Sequence, residues 1–450
     1  MICVLMAAVL SSCKKSNFLD AKPSSSIVEP QSITDFQELL DNTTVLTYNG
    51  GLPQLSCDDY ETTYANWQTV SNTERNAYTW AKDIYAGGGN IADWDALYSE
   101  VLYCNIVLDR LNQTGLVNTT QGQYLKGWAL FDRSFAFYDL ARNFCNTYDK
   151  STANTDLGIP LRLSSGINYI DQRSTLQATY NQLLGDLATS INLLPADRPS
   201  QNLNRPCKIA AYALLARIYL DMRQYSDAEN NADQSLQLYN TLIDYNTVSK
   251  TSTTPFSKTN NELILTKAEI GSYALTINST TSQATIPDSI INLYRPNDLR
   301  LAVYFSNTAG TYRKKRGYFG VGLYPFMGLA TDEMYLIKAE CLARAGATAQ
   351  AMSLLNQLLV NRYVSGTFTP VTASSSAQAL SIILTERRKE LIWRGLRWQD
   401  LKRLNKEGAN ITLTRTLNGV TYTLPPNDPR YVMPIPDDEI ALSGIQQNNR

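Results

Sequence analysis

The chain has 450 residues, 44% of them hydrophobic, which is enough for a substantial core and more than one domain and excludes a disordered chain. Its 40 Lys and Arg are balanced by 41 Asp and Glu for a net charge of −1, which leaves no basic field to hold a polyanion, so nucleic acid is not an expected partner. It contains no histidine, which removes Ser-His-Asp and Cys-His catalysis and the His-rich zinc sites of most metallohydrolases, leaving acid/base work to carboxylates, Lys or Tyr.

In chain order, Ile2 to Leu10 is an apolar run too short to span a bilayer but suited to the h-region of a secretory signal. Leu10-Ser11-Ser12-Cys13 resembles a bacterial lipobox, in which the thiol is acylated and becomes the new N-terminus after cleavage. The competing reading is a buried apolar helix; the small residues before Cys13 and the polar stretch from Lys14 favour the signal. The expectation is therefore a signal peptide over 1–12, lipidation at Cys13 and a tether over 13–31. Lipid chains contribute about 0.8 kcal/mol per buried CH₂, so such a chain would be held at a membrane surface.

A helix is predicted from Ser32 or Thr34 as N-cap, with Phe36, Leu39 and Leu40 on one face. The stretch from Asn42 to Asn90 has little periodicity and carries Asp58-Asp59-Tyr60, Tyr64, Trp67, Trp80, Tyr85 and the triplet Gly87-Gly88-Gly89. Long irregular segments are uncommon in compact domains and often functional; the alternative is a packing layer over the helices. Helices are then predicted over Ile91 to Leu111, Tyr124 to Asn143, Leu176 to Leu194, Pro206 to Met222 and Ser226 to Tyr239. Ala216 and Tyr219 are followed by Ala228 and Ala232 at the same spacings as Ala339 and Leu342 by Ala351 and Leu355. Small residues twelve apart let consecutive antiparallel helices approach closely, as in a tetratricopeptide pair.

From about Thr241 to Ala330, Gly, Pro, Thr, Ser and Asn accumulate and helical periodicity disappears. Glu262 to Thr266 reads as a short strand, and Arg313 to Met327 as extended and Gly/Tyr-rich, with glycines that do not form a phosphate cradle. The basic run Arg313 to Arg316 reads as a solvated loop. Cys57, Cys104, Cys145, Cys207 and Cys341 are far apart and contain no Cys-x-x-Cys, so neither a zinc knuckle nor a redox pair is expected, and Cys104, Cys207 and Cys341 read as packing residues. No cofactor is implied. The 27 Tyr and 6 Trp supply amphipathic surface of the kind that stacks on sugar rings, although packing between helices accounts for most of it.

The C-terminal stretch Leu384 to Arg403 is dense in Arg, Lys and Glu, and Val432 to Ile440 carries Pro-Ile-Pro-Asp-Asp-Glu. Glu386 and Glu390 lie four apart, with Arg387 and Arg394 in helical reach; so many cations would hold both carboxylates ionised, and the segment reads as a structural clamp broken at Gly395. Here the chain resembles the SusD/RagB family of nutrient-binding outer-membrane lipoproteins. The resemblance is carried by Phe18-Leu19-Asp20-x-x-Pro23, Leu157 to Leu161, Ala210 to Leu220, Glu333 to Glu340, and the closing Arg-Arg-x-Glu-Leu, Gly-x-Arg-Trp-x-Asp-Leu and Pro-Ile-Pro patterns.

The resemblance implies a mostly α-helical, tetratricopeptide-like scaffold with an irregular, loop-rich ligand-binding region and minor β structure. It divides into an N-terminal helical region over 32–240 and a C-terminal region over 241–450. It further implies an outer-membrane location facing the exterior, a SusC-like TonB-dependent transporter as partner, an oligosaccharide or peptide ligand, and no catalysis. The family transfers no ligand motif, so the candidate ligand residues, Trp67, Trp80, Tyr294, Tyr318 and Tyr324, come from aromatic content in the irregular segments. Two further readings stand beside glycan capture: a glycoside hydrolase drawing on Asp58, Asp59, Glu61, Asp93 and Asp95, and a purely structural lid.

Overall fold

A computed structural model describes residues 29–450. The signal peptide, Cys13 and all but the end of the tether lie outside the described residues. Helix α1 (Ile33–Leu40) starts at Ser32, whose hydroxyl accepts from Asp35 N while the Asp35 carboxylate returns to the Ser32 N–H, and Phe36 and Leu40 are buried beneath it. The stretch from Asn42 to Asn90 is less irregular than expected. It holds β1 (Tyr48–Asn49) and three short helices, α2 (Leu52–Ser56), α3 (Tyr64–Thr69) and α4 (Asn72–Tyr78). Their lengths, five to seven residues, are too short for a 3.6-residue stripe to show.

The long helices α5 (Ala92–Gln113), α6 (Thr120–Phe144) and α7 (Leu176–Leu193) pack side by side. Every residue of α6 from Gly127 to Phe144 is buried, so it is covered on all sides and its polar residues must find partners inside. Arg133 forks onto Asp186 at 2.8 and 2.9 Å, and Trp128 Nε1 donates to Asp132 at 2.8 Å. Beside them Lys267 Nζ lies 2.6 Å from Glu100, giving two carboxylates around one ammonium; burial pushes Glu100 up to about 7 and Asp132 up to about 8.

The repeat seen in the sequence is built as two helix pairs, α8 (Lys208–Asp221) with α9 (Tyr225–Leu238), and, after the intervening α10 (Asp288–Ile291) and α11 (Arg300–Tyr304), α12 (Thr331–Arg344) with α13 (Thr348–Leu359). Ala216, Ala228, Ala232, Ala339 and Ala351 are all fully buried at the helix crossings. The turn residue after the first helix is left-handed in both copies, Gly346 at φ 86° and, at the equivalent position, Arg223 at φ 60°. Helix α9 also packs on α12, which joins the two pairs into one layer.

The strands are minor and form five two-stranded pieces among the described residues. After β2 (Leu157–Pro160), which pairs with β3 (Arg173–Thr175), come β4 (Leu263–Leu265) and β5 (Ala268–Glu269). β5 runs parallel to β1, with Tyr48 opposite Ala268. β4 pairs with β8 (Leu329–Ala330), and a Cβ on Gly328 would stand 2.0 Å from Leu265 O, so only glycine permits this approach. β6 (Phe305–Thr308) and β7 (Thr311–Lys314) form a hairpin, as do β9 (Leu413–Leu417) and β10 (Val420–Leu424) around Asn418-Gly419.

The C-terminal signature forms α14 (Ser376–Glu390) and α15 (Arg397–Lys406), separated by Trp393 and Gly395 in left-handed conformations, before the final α16 (Asp437–Ser443). Its charges are buried and paired, but mostly not with helical neighbours. Glu390 binds Arg362 at 2.7 Å and Arg300 at 2.9 Å, Glu386 binds Arg300 at 2.7 Å and Lys389 at 2.8 Å, and Arg394 binds Asp332 at 2.6 Å. Arg362 also reaches Glu262 at 2.6 Å, and Arg403 reaches Glu340 at 2.6 Å. The guanidiniums hold Glu390 below the ordinary Glu range despite burial. This web ties the C-terminal helices to the irregular segment and to the second helix pair. All five cysteines among the described residues are free and buried.

Candidate ligand-binding surface

The two irregular segments meet. Glu61 and Thr285 exchange backbone hydrogen bonds at 2.9 Å, the Thr62 hydroxyl donates to Gln283 O at 3.0 Å, and Asn278 N donates to Leu323 O at 2.6 Å. Ile286 N donates to Tyr312 O at 2.9 Å, which adds the β6-β7 hairpin to the same region. The surface is thus made by α3, the segment 271–286 and the Gly/Tyr-rich loop after β7.

Thr63 caps α3 through Asn66 N, and the three-residue spacing places Tyr64 and Trp67 on one side of that helix. Their rings lie 5.6 Å apart at 24°, a stacked pair. Trp67 Nε1 donates to Arg75 O at 3.1 Å and Gln68 Nε2 donates to the Tyr64 hydroxyl at 3.0 Å, which fixes both rings. Tyr64 is 38% exposed, and Trp67 is half-buried. Tyr324, also half-buried, donates from its hydroxyl to Gly271 O at 3.2 Å, and its loop exposes Val321 at 72% and Leu323 at 42%.

Three of the five aromatic candidates are in the core and cannot stack on a ligand as they stand. Trp80 is 1% exposed, gives its Nε1 to Ser56 O at 2.9 Å and lies 4.8 Å from the Arg415 guanidinium. Tyr294 is buried against Phe305 at 5.7 Å, with its hydroxyl on Lys389 O at 2.9 Å. Tyr318 is buried between Phe256 and Phe326, beneath Arg394 at 3.8 Å, with its hydroxyl on Glu262. In each case a buried polar group needed the phenol or indole, which draws the ring inward. Tyr64 takes their place on the surface; its spacing from Trp67 behind a Thr N-cap was the available signal.

A polar groove of about 480 Å³ adjoins the Glu61-Thr285 contact at Glu61, lined by Asp58, Glu61, Arg388 and Thr412 to Thr416. Asp58 is held by Arg397 at 2.7 Å and Arg388 at 2.8 Å, which keep its carboxyl well below the usual range although burial opposes them. Burial raises the Glu61 carboxyl, and Asp288 adds to the shift. Asp59 and Asp93 are buried and pushed up to about 6 by desolvation; Asp93 accepts from Leu52 N at 2.8 Å and from the Tyr273 hydroxyl at 2.5 Å. Asp58 and Asp93 are therefore structural carboxylates. Among the described residues no cluster of three or more Asp, Glu, Cys or His has metal-binding geometry.

Paired helices joined by short turns, carrying an irregular, aromatic-bearing surface, define a helical-repeat binding scaffold. Residues 17–220 match the family described as "Starch-binding associating with outer membrane", and residues 239–449 match the SusD family. The chain belongs to the SusD/RagB family. A 94-residue stretch is 37% identical to SusD-like protein P38 of Formosa agariphila, covering 20% of this chain and 18% of that protein, so the chain spans only a small part of this curated relative. A SusD superfamily protein of Bacteroides thetaiotaomicron shares the fold at TM-score 0.75 and 20% identity, over 93% of this chain and 100% of that one. A putative sugar binding protein of Bacteroides vulgatus does so at TM-score 0.73 and 22% identity, over 94% and 99%. No described helix is long and apolar enough to cross a membrane.

Proposed function

We propose that this protein captures an extracellular oligosaccharide on the surface bearing Tyr64, Trp67 and Tyr324 and delivers it to a SusC-like TonB-dependent transporter, held at the outer membrane through a lipid on Cys13. The observation that carries the reading is the exposed, stacked Tyr64-Trp67 pair at the meeting of the two irregular segments. Sugar hydroxyls are well solvated, so net affinity comes from ring faces on aromatic faces, while hydrogen bonds add selectivity. The descriptions of the relatives as starch-binding, sugar binding or carbohydrate binding support a glycan over a peptide. Of the carboxylates offered for hydrolysis, Asp58 is engaged by two arginines and Asp93 by backbone and Tyr273, which favours binding without cleavage.

The test is calorimetry with a panel of α-glucan and other oligosaccharides on protein lacking residues 1–13. Tyr64→Ala, at the exposed ring of the pair, should cost about 1–3 kcal/mol of binding with the melting temperature nearly unchanged, and bound sugar should be recovered intact. Unchanged affinity in the variant would remove the site, and turnover abolished by one carboxylate substitution would replace binding with hydrolysis. Cys13→Ala should shift the full chain from the detergent phase to the aqueous phase; unchanged partitioning would refute the lipid anchor.

A further inference from the structure

A second cavity, remote in sequence from the aromatic surface, opens between α5, the loop 161–172 and α16, with a volume of about 360 Å³ that falls in the range of small-molecule sites. Its floor is the N-terminal half of α5, where Trp94 and Tyr98 have ring centroids 4.8 Å apart. One wall is aliphatic. Ile167 and Ile170 stand 63% and 58% exposed, on a loop that holds them there by its own bonds. Arg162 donates to Tyr169 O and Gly166 O at 2.7 Å each, lies 4.2 Å over the Tyr169 ring and sits 3.4 Å from Asp171, so its charge is consumed within the loop.

The opposite rim is anionic and has no such compensation. Asp95, near the N-terminus of α5, and Glu439, in the first turn of α16, both line the cavity, and burial, with the charges of Asp438 and Glu439 adding to it, raises the Asp95 carboxyl. Among the described residues no lysine or arginine forms an ion pair with any of the three. Glu439 accepts only the indole N–H of Trp94, at 3.3 Å, and Asp438 takes backbone N–H groups of Asn90 and Glu439. Acidic residues at helix N-termini are ordinary, but here two such ends converge on a cavity whose remaining walls are aromatic and aliphatic.

We infer that this cavity binds an alkylammonium group, its cation at Asp95 and Glu439 beside the half-buried Tyr98 ring, which packs on the buried Trp94, and its apolar stem along Ile167 and Ile170. Ring faces attract a cation, the carboxylates supply the charge that the protein leaves unpaired, and aliphatic walls suit a methylene chain. An anionic ligand is excluded by like charge. The group could be carried by a free amine or by a lysine side chain in a peptide, and the two are separated by experiment.

Chemical-shift titration of the folded protein with n-hexylammonium, hexanol and hexanoate tests the assignment. Hexylammonium should saturate resonances of α5, loop 161–172 and α16, hexanol should bind at least about threefold more weakly, and hexanoate should not bind. Asp95 makes no side-chain bond, so Asp95→Asn should keep the fold and weaken hexylammonium about three- to tenfold, and Asp95→Asn with Glu439→Gln should weaken it further. Raising salt should reduce hexylammonium binding and leave hexanol unaffected. A capped pentapeptide with one central lysine that binds more tightly than hexylammonium identifies the lysine side chain as the source; equal or weaker binding identifies the free amine. Hexanol binding as well as hexylammonium, affinity unchanged in Asp95→Asn, or no saturable shift at these elements would overturn the inference.

Discussion

Replacing Asp132 by Asn should make the protein more stable, and increasingly so as pH rises. Asp132 is buried on α6, with one ammonium, Lys267, shared with Glu100, which takes the direct 2.6 Å contact. Its folded-state pKa is therefore raised from 3.8 to about 8, with desolvation as the largest cause. Below pH 3.8 the carboxyl is protonated folded and unfolded, and its contribution to stability is fully present. Between the two values the unfolded chain gives up a proton that the folded chain retains, so stability is lost by up to about 1.4 kcal/mol per pH unit until pH passes about 8. Asparagine keeps an acceptor for Trp128 Nε1, which donates at 2.8 Å, and has nothing to titrate. Urea unfolding at pH 5 and pH 8 should show the variant gaining about 3–4 kcal/mol relative to wild type across that interval. A stability difference equal at the two pH values, or one that moves against the variant as pH rises, would refute the electrostatic reading of this cluster.

Arg362→Met should cost about 3–5 kcal/mol in urea unfolding, because it leaves Glu262 and Glu390 buried without the guanidinium they share; a loss under about 1 kcal/mol would show that the web is not cooperative. Arg223→Gly should raise stability by about 0.5–1 kcal/mol, since the left-handed turn that Gly346 occupies freely in the second helix pair is strained for Arg in the first; a lower melting temperature would mean that the 3.7 Å contact with Asp149 outweighs the strain.

The long helices were legible because their apolar spacing is sustained. The expected Ile91 to Leu111 and Leu176 to Leu194 differ from Ala92–Gln113 and Leu176–Leu193 only at the ends, where capping decides. The strand expected at Glu262 to Thr266 is β4. The paired alanines disclosed the helix pairs because burial at a crossing leaves a spacing that survives loop insertion. Partners distant in sequence were not legible. Glu390 lay within helical reach of Arg387 and Arg394, yet its partners are Arg300 and Arg362, brought in by the irregular segment. The same limit governs the aromatics: the spacing behind Thr63 marks Tyr64 and Trp67 locally, but nothing local announces that Trp80, through a left-handed backbone, turns onto Ser56 O beside Arg415.

The buried thiols have a consequence for redox behaviour. Burial raises the pKa of each, Cys145 to about 11, so almost no thiolate is present at neutral pH and none has a partner sulfur in reach. The fold described here consequently owes nothing to an oxidising compartment and loses nothing in a reducing one. A cysteine introduced at an exposed position, such as Leu442 on α16, would react far ahead of those five, giving a site-selective handle for a fluorophore or cross-linker on the native protein.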